Sequence, residues 1–357
     1  MWACLDRLNE GLEMLRHYLD GLDKEDHLIA LTDAVEGNAG QVLKDFQDHF
    51  RKQHNKSKFD YNTIIVSLYG YLERYIEDLI TEYLDEVASH SPTYTDLPED
   101  IRNNHLAFSI DLSRKIDQQR YSGNLRVEEV IARLHTCFTA PERYQLNVQA
   151  FTQHSSNFRH SMVVQTLSQC GISEVTQSIK QADPFISFLR DEDSERDVTT
   201  FLSKEDKIVF YRLNDLANRR NDVAHGTPVD DVLSNDYLRT YVNFVGAYAV
   251  GLALVVYEQL LPFMVKQATS LGRPIAVHNS HIVCVKILDG IVSVGDTLIA
   301  KTQDSSRPYK AGPILGIEKD RVPLNTVNGG PDVKIGMRVG FVAKENQEFY
   351  FLKSTTA

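Results

Sequence analysis

The hydrophobic pattern of the chain changes once, near residues 266–274, and this change limits the folds that it can adopt. Before that point, apolar residues recur at intervals of three and four, as on a helix that buries one face. After Pro274, short apolar runs alternate with glycine-containing turns, which is typical of a small β-barrel. The sequence therefore predicts a mainly α protein that ends in a small β domain.

Three segments follow from this pattern and from a polar run at 51–57. We expect an N-terminal helical segment at 1–57, a helical domain at 58–266 and a β-barrel at 274–357. The expected strands of the barrel are His281–Leu288, Thr297–Lys301, Pro313–Glu318, Arg338–Ala343 and Glu348–Leu352.

The helical domain contains two long apolar segments. One is an amphipathic helix at about 60–87, whose apolar stripe is Tyr61, Ile65, Leu68, Leu72, Ile76, Leu79 and Tyr83. The other, Tyr237–Val265, has an uncharged part that only just reaches the length of a membrane span. Its Asn243, glycines and tyrosines favour a buried core helix, so we expect a soluble protein without a membrane segment. A shorter helix is expected at 158–170, ended by Gly171.

The helix expected at 203–225 has three distinct faces. Ser203-Lys204-Glu205-Asp206 has the capping-box form that opens a helix, and Gly226 with Pro228 stops it. The first face is apolar apart from one arginine: Val209, Leu213, Leu216, Arg220 and Val223. The second is polar: Asn214, Asn218, Asn221 and His225. The third, Asp215, Arg219 and Asp222, alternates in charge as a solvated face does.

Arg220 needs a partner, because an unpaired charge among apolar residues is costly. Glu73 and Glu77 on the helix at 60–87 are the natural candidates. Arg220 is then either a structural residue that locks two helices together or part of a functional site.

Asn221 and His225 lie four residues apart and therefore share a face of the helix. In the last turn, unpaired carbonyls favour a cation, so the imidazole is suited to acid–base chemistry. A histidine that merely caps the helix is an equally valid interpretation. Arg220 and His225, five apart, diverge by about 140° and cannot both contact one phosphate unless the helix end unwinds or a second chain contributes.

The charge and the cysteine content of the sequence argue against a general nucleic-acid-binding surface, a zinc knuckle and a disulfide-bonded fold. The net charge is −11, divided between +2 from residue 274 onward and −13 before it. Any contact with nucleic acid should therefore be local rather than made by a general basic surface. The four cysteines form no CxxC pair, which fits a reducing, cytoplasmic location and gives no sign of a metal site or cofactor.

Residues 219–226, Arg-Arg-Asn-Asp-Val-Ala-His-Gly, resemble the signature of the HEPN superfamily: an arginine, then Asn, Asp or His, then a histidine after four to six intervening residues. Two earlier segments support the resemblance. Residues 69–79 are similar to the first helix of a prokaryotic HEPN branch, and residues 156–172 are similar to a later segment of that branch. The resemblance covers about 58–262.

The resemblance implies a metal-independent endoribonuclease that works as a dimer, often as a toxin or antiviral defence effector. In such an enzyme the ribose 2′-hydroxyl attacks the neighbouring phosphate of tRNA or mRNA. It implies that His225 is the acid–base group, that Arg220 stabilises the phosphate and that Asn221 is the orienting polar residue. We expect Asp222, Glu73 and Glu77 to support them. Here four residues lie between Arg220 and His225, which is the short end of the spacing found in the family. We also expect the last helix, through Val242, Val245, Tyr248 and Leu252, to contribute dimer surface.

The C-terminal segment resembles domain 2 of translation GTPases such as elongation factor Tu, on residues 289–298, 314–317 and 335–339. No GxxxxGK[ST] loop is present, so the chain is not a GTPase. The β domain is then an interaction module or a tRNA-contacting one. Two alternatives to a ribonuclease remain. One is a catalytically silent HEPN protein that dimerises and binds a partner through its barrel. The other is a nucleotidyl-transfer partner or antitoxin target, since HEPN proteins commonly work with a neighbouring protein that restrains or activates them.

Overall fold

A computed structural model describes residues 2–31, 36–51, 56–116, 125–153, 157–227, 231–305 and 307–353. The chain divides into two compact units. The first contains Met1–Leu84, Pro98–Thr139 and Tyr144–Val255, and the second contains Asp85–Leu97, Ala140–Arg143 and Val256–Ala357.

The helical part agrees with the prediction of a mainly α protein. The helices are α1 (Trp2–Ala30), α2 (Gly37–Arg51), α3 (Lys56–Ser89), α4 (Glu99–Lys115), α5 (Val127–Thr139), α6 (His160–Gln169), α7 (Val175–Gln181), α8 (Asp183–Glu192), α9 (Val198–Leu202), α10 (Asp206–Val209), α11 (Tyr211–Ala224) and α12 (Asn235–Met264). Single 3-10 turns lie at Tyr94–Asp96, Pro141–Arg143, Val148–Ala150 and Val265–Gln267. Residues 52–55, part of the polar run expected to be a boundary, lie outside the described residues.

Helix α3 passes through the core of the first unit. Every member of the stripe predicted for it is buried. Near its centre, the Tyr75 hydroxyl donates a hydrogen bond of 2.7 Å to the Ala249 carbonyl of α12. A buried tyrosine needs such a partner, and this one links α3 to α12.

Helix α1 packs closely on α3 in the same unit. Leu8, Leu12 and Leu19 are buried, so its leucine repeat is a core-facing stripe. A Cβ atom at Gly11 would lie 2.9 Å from the ring of Tyr71, which is closer than real Cβ contacts. Gly11 therefore permits the close approach of the two helices.

Helix α12 is apolar enough to be tested as a membrane span. Within the described residues, Asn235–Gln267 is the segment that meets the length and composition of a span, and 61% of its most apolar window is buried inside the protein. Val242, Val245, Tyr248 and Leu252 are all buried. The prediction that these four side chains offer dimer surface is therefore wrong, because the chain's own core covers them.

The second unit contains a curled antiparallel sheet, a half-barrel. The strands are β1 (Thr269–Gly272), β2 (Ala276–His278), β3 (Ile282–Lys286), β4 (Ile291–Ser293), β5 (Thr297–Lys301), β6 (Tyr309–Lys319), β7 (Val322–Leu324), β8 (Thr326–Asn328), β9 (Lys334–Val339) and β10 (Phe349–Leu352). The main sheet has the order β1-β10-β5-β6-β9-β3-β2, with β7 paired to β6, and β4 and β8 form a separate ribbon. A small C-terminal β domain is confirmed.

One side of this sheet faces an apolar core. Val285, Leu298, Ile314, Met337 and Phe349 are among its buried members. They come from five strands. In β3, β9 and β10 they alternate with more exposed residues, as expected for a sheet with one buried face, whereas β5 buries three residues in a row.

Candidate active site

The helix that carries the predicted site begins later than the sequence indicated. A single helix at 203–225 is wrong: Ser203 ends α9, Glu205 caps α10, and α11 begins at Tyr211. The helical conformation is interrupted at Phe210, whose φ and ψ are −104° and 24°. Phe210 is fully buried and its ring stacks on the His160 imidazole with centroids 3.6 Å apart.

The C-terminal end of α11 lies where the sequence placed it. His225 is the C-cap, and its N–H still donates to the Asn221 carbonyl at 2.9 Å. Gly226 follows with φ +66°, and its N–H donates to the Val223 carbonyl. Thr227 donates to the Asp222 carbonyl, which completes a Schellman motif. Pro228, the other predicted stop, lies outside the described residues.

This helix end changes one part of the sequence argument. The carbonyls of Asp222 and Val223 were expected to be unpaired, but they accept hydrogen bonds from Thr227 and Gly226. They give the imidazole of His225 less electrostatic support than an open helix end would. That imidazole is exposed and, within the described part of the chain, makes no hydrogen bond.

Arg220 contacts an aromatic ring. Its guanidinium carbon lies 5.4 Å from the centroid of Tyr69 on α3, a cation–π distance. Among the described residues, no carboxylate pairs with this guanidinium, so the ion pair expected with Glu73 or Glu77 is not formed. Arg220 is half-buried and keeps its guanidinium donors for another ligand.

Glu73 reaches the same tyrosine from the next turn of α3. Burial raises the pKa of Tyr69, and the charge of Glu73 and its hydrogen bond with the phenol act in the same direction. The nearby charge of Arg220 acts in the opposite direction. Tyr69 therefore contacts both the carboxyl group of Glu73 and the guanidinium of Arg220. Glu77 lies one further turn along the same face of α3.

The asparagine row of α11 holds a neighbouring segment of the chain in place. Asn157 donates from Nδ2 to Asn221 Oδ1 at 2.6 Å and to the Ala217 carbonyl at 3.1 Å. Arg159 donates to Asn218 Oδ1, and the His160 N–H donates to Asn214 Oδ1. Three asparagines, one turn apart, thus bind the residues that lead into α6.

Tyr69 fixes the same segment from the other side. The N–H of Phe158 donates to the Tyr69 hydroxyl at 2.7 Å, and the Phe158 side chain is fully buried. The residues from 157 to 160 are therefore held between α3 and α11. Their bonds also orient the Asn221 amide: because its Oδ1 accepts from Asn157, its Nδ2 remains a donor that faces elsewhere.

Arg219, next to Arg220, has a different environment. Its guanidinium donates to Asp215, to Asp231 and to the Tyr61 hydroxyl, at 2.6, 2.9 and 2.8 Å. Tyr241 adds a hydrogen bond of 2.5 Å to Asp215. The prediction that Asp215 and Arg219 belong to a solvated face is wrong, because both take part in a half-buried network. Asp222 alone of that row is exposed.

Arg220 and His225 lie on different sides of α11. The helix stays wound up to its C-cap, so the predicted divergence of about 140° is not relieved by unwinding. Arg220 faces α3, whereas His225 is exposed at the helix end. The two side chains are not brought to one point within one chain.

Two residues of this site were not singled out by the chemical reasoning on the sequence. Asn157 and Tyr69 entered only as letters of segments that supported the resemblance. Their partners are 64 and 89 residues distant in the chain, so helical spacing could not reveal them. Ser156, the first residue of the 156–172 segment, lies outside the described residues.

No group of three or more His, Cys, Asp or Glu that could hold a metal ion occurs in the described ranges. The four cysteines are free thiols, and three of them are buried.

Comparison with known protein families gives one match. The family model described as RiboL-PSP-HEPN matches residues 39–257, more than half of the chain. The match includes α3, α6, α11 and most of α12, and it begins before the region covered by the sequence resemblance, taking in nearly all of α2. No curated protein matches the chain.

Proposed function

Because this chain belongs to the RiboL-PSP-HEPN family, we propose that it is an endoribonuclease whose Arg220, Asn221 and His225 act on an RNA phosphate. The observation that carries the proposal is the state of Arg220. A half-buried guanidinium supported by the Tyr69 ring, without a carboxylate partner among the described residues, is suited to an anionic ligand. An exposed imidazole ends the same helix.

The chemistry needs two proton transfers and a group that stabilises charge. One imidazole removes the proton of the ribose 2′-hydroxyl, whose oxygen attacks the adjacent phosphorus. The bond from phosphorus to the 5′-oxygen breaks, and the imidazolium formed by the first transfer gives its proton to that oxygen. The products are a 2′,3′-cyclic phosphate and a 5′-hydroxyl, so the reaction needs no metal and no water.

Arg220 and Asn221 act on the phosphate in this proposal. The guanidinium donates to the non-bridging oxygens, where negative charge increases in the transition state. The Nδ2 of Asn221, fixed by the bond from Asn157 to its Oδ1, supplies a further oriented donor. Glu73 supports the arginine indirectly through Tyr69, and we assign Glu77 and Asp222 supporting roles.

A dimer overcomes the divergence of Arg220 and His225 within α11. In a twofold dimer the same helix lies opposite itself, so the Arg220 of one chain can approach the His225 of the other. The helix α3 offers a surface for this, because Phe59 and Val66 lie seven residues apart on one face with 69% and 44% of their surface exposed. We propose that this face of α3 contributes to the dimer interface.

We infer that the enzyme cuts tRNA or mRNA in the cytoplasm, as a toxin or antiviral defence effector, with a neighbouring protein that restrains or activates it. The second unit, which contains the β-sheet, selects the RNA or binds that partner.

Incubation of the purified chain with total RNA, with and without EDTA, tests this function. Cleavage in EDTA, with cyclic phosphate ends, is the expected result. The variant His225→Ala should not cleave, and the control Asn218→Ala should, because Asn218 lies on the same helix and its exposed side chain accepts a hydrogen bond from Arg159. Intact RNA in every sample would favour a catalytically silent interaction protein. Cleavage only with a divalent ion would contradict the chemistry.

A further inference from the structure

The second unit contains a cavity of about 410 Å³ whose lining is strongly basic. Four cations line it, Arg273, Lys301, Lys310 and Lys344, against two carboxylates, Asp304 and Glu348. In a chain with a net charge of −11, such a concentration of positive charge is unusual.

Lys310 occupies a position where an apolar residue is expected. In the sheet, Lys310 lies opposite Ala300, and Ala300 lies opposite Phe349. Directly opposed residues point to the same face, and both Ala300 and Phe349 are fully buried in the core. Lys310 is therefore an inward-facing lysine at the end of the half-barrel, and it needs an anion more than a surface lysine does.

The protein itself supplies little negative charge to compensate the ammonium of Lys310. The Lys310 ammonium donates to the Val342 carbonyl and lies 5.5 Å from the Phe341 ring. Burial lowers the pKa of Lys310, and repulsion from Lys344 lowers it further. Among the described residues, Arg273, Lys310 and Lys344 form no ion pair, whereas Lys301 has Glu348 at 3.6 Å.

We propose that this cavity binds the phosphate backbone of a single RNA strand, an inference that rests on the proposed ribonuclease function for its choice of ligand. Several phosphate oxygens can accept hydrogen bonds from converging cations at once. The cavity has the size of a small-molecule site, roughly 300–1,000 Å³, and can admit a single nucleotide unit.

The rest of the lining favours RNA over an acidic peptide. The exposed amides of Gln303 and Asn346 stand beside the cations, and each carries both a donor and an acceptor. Such groups can pair with the edges of unstacked bases. Asp304 and Glu348 can accept from base amino groups or ribose hydroxyls, whereas they would repel the carboxylates of an acidic peptide.

The test uses the full-length chain and a short, fluorescent single-stranded RNA with 2′-O-methyl groups. This RNA cannot undergo attack by a 2′-hydroxyl, so binding is measured independently of cleavage. Anisotropy titrations at several salt concentrations give the affinity and its salt dependence. The variant Lys310→Gln/Lys344→Gln is compared with Lys319→Gln/Lys334→Gln, which removes the same charge from the same unit outside the cavity.

The cavity variant should bind about tenfold more weakly at moderate salt, and the slope of log K against log salt should fall by about 1.4 as two phosphate contacts are lost. The control should keep both values close to those of the parent protein. A second variant, Arg273→Gln/Lys344→Gln, changes two exposed residues and avoids any disturbance of the sheet.

Three results would overturn the proposal. They are parent-like binding by both cavity variants, equal weakening by the control, or tighter binding of polyglutamate than of RNA. A chain that binds this RNA through the cavity but cleaves no RNA would contradict the ribonuclease function alone.

Discussion

The Arg220 guanidinium lies 5.4 Å from the centre of the Tyr69 ring, so an aromatic face supports the arginine of the proposed site. The same tyrosine accepts a hydrogen bond from the Phe158 N–H and bonds to Glu73. Its ring and its hydroxyl therefore have separate roles, and substitutions can separate them.

The first prediction concerns these two roles. Tyr69→Phe keeps the ring and should cleave RNA within about twofold of the parent, while its stability falls by about 1–2 kcal/mol because the buried Phe158 N–H loses its acceptor. Tyr69→Leu also removes the ring and should lower kcat/KM about tenfold, since a partly desolvated cation–π contact is worth about 1–2 kcal/mol. Cleavage kinetics and urea unfolding measure both effects. Equal loss of cleavage in the two variants would show that the ring does not position Arg220.

The second prediction concerns Asn157. Asn157→Ala leaves Asn221 Oδ1 and the Ala217 carbonyl without their donor, so stability should fall by about 1 kcal/mol. Cleavage should fall about tenfold, because the Asn221 amide is no longer oriented. The matched control is Asn218→Ala, which removes an exposed asparagine bonded to Arg159 and should change stability by less than about 0.5 kcal/mol. If both variants cleave like the parent, the bond from Asn157 has no functional role.

The third prediction is a loss of stability below neutral pH. Burial lowers the pKa of both His105 and His160 to about 4. The His105 Nε2 accepts the Asn147 N–H at 2.9 Å, which requires a neutral ring. Because the unfolded histidines titrate near 6.5, the unfolded state binds more protons between pH 6.5 and 4. Stability is therefore complete above about pH 6.5 and falls by about 3 kcal/mol for each histidine as the pH approaches 4.

Urea unfolding at pH 7.5, 6 and 5 measures this dependence. His160→Gln lowers stability at every pH, but its curve should fall less steeply on acidification than the parent curve. Parallel curves for the two proteins would mean that His160 does not titrate in this way.

The fourth prediction concerns the helix end that carries His225. Gly226 has φ +66° and, among the described residues, no atom lies within 4 Å of a Cβ placed there, so Gly226→Ala meets backbone strain and no steric clash. We expect a loss of about 1 kcal/mol in stability. Gly21→Ala, in the middle of α1 with equally open surroundings, should instead gain up to about 1 kcal/mol. Equal changes in both proteins, measured by thermal unfolding, would contradict the Schellman end.

The sequence predicted the parts of the fold that depend on local spacing. The stripe of α3, the length of α12 and the glycine ends after α6 and α11 follow from residues within one or two turns of each other. Four of the predicted β runs correspond to β3, β5, β6 and β10, whereas the run predicted at Arg338–Ala343 overlaps β9 only at Arg338 and Val339. The strands β1, β2, β4, β7 and β8 were missed because each has three or four residues, too few for alternation to be visible.

What could not be predicted depends on tertiary contacts. The break at Phe210 occurs where burial of its ring against His160 overrides the helical pattern of the surrounding residues. Arg219 was assigned to solvent because its hydrogen-bond partner Tyr61 lies 158 residues away. The partner of Arg220 was sought among carboxylates, yet an aromatic ring fills that role. Local charge patterns cannot distinguish these cases.

The central claim is that one active cleft combines Arg220 of one chain with His225 of another. Mixing Arg220→Ala chains with His225→Ala chains, after unfolding and refolding together, tests it most directly. Each heterodimer then has one cleft with both residues intact and one with neither. With random pairing, half of the dimers are heterodimers, so the mixture should recover about a quarter of the parent activity. A mixture that forms heterodimers and yet cleaves no RNA, while parent chains refolded in the same way do, would contradict the shared cleft.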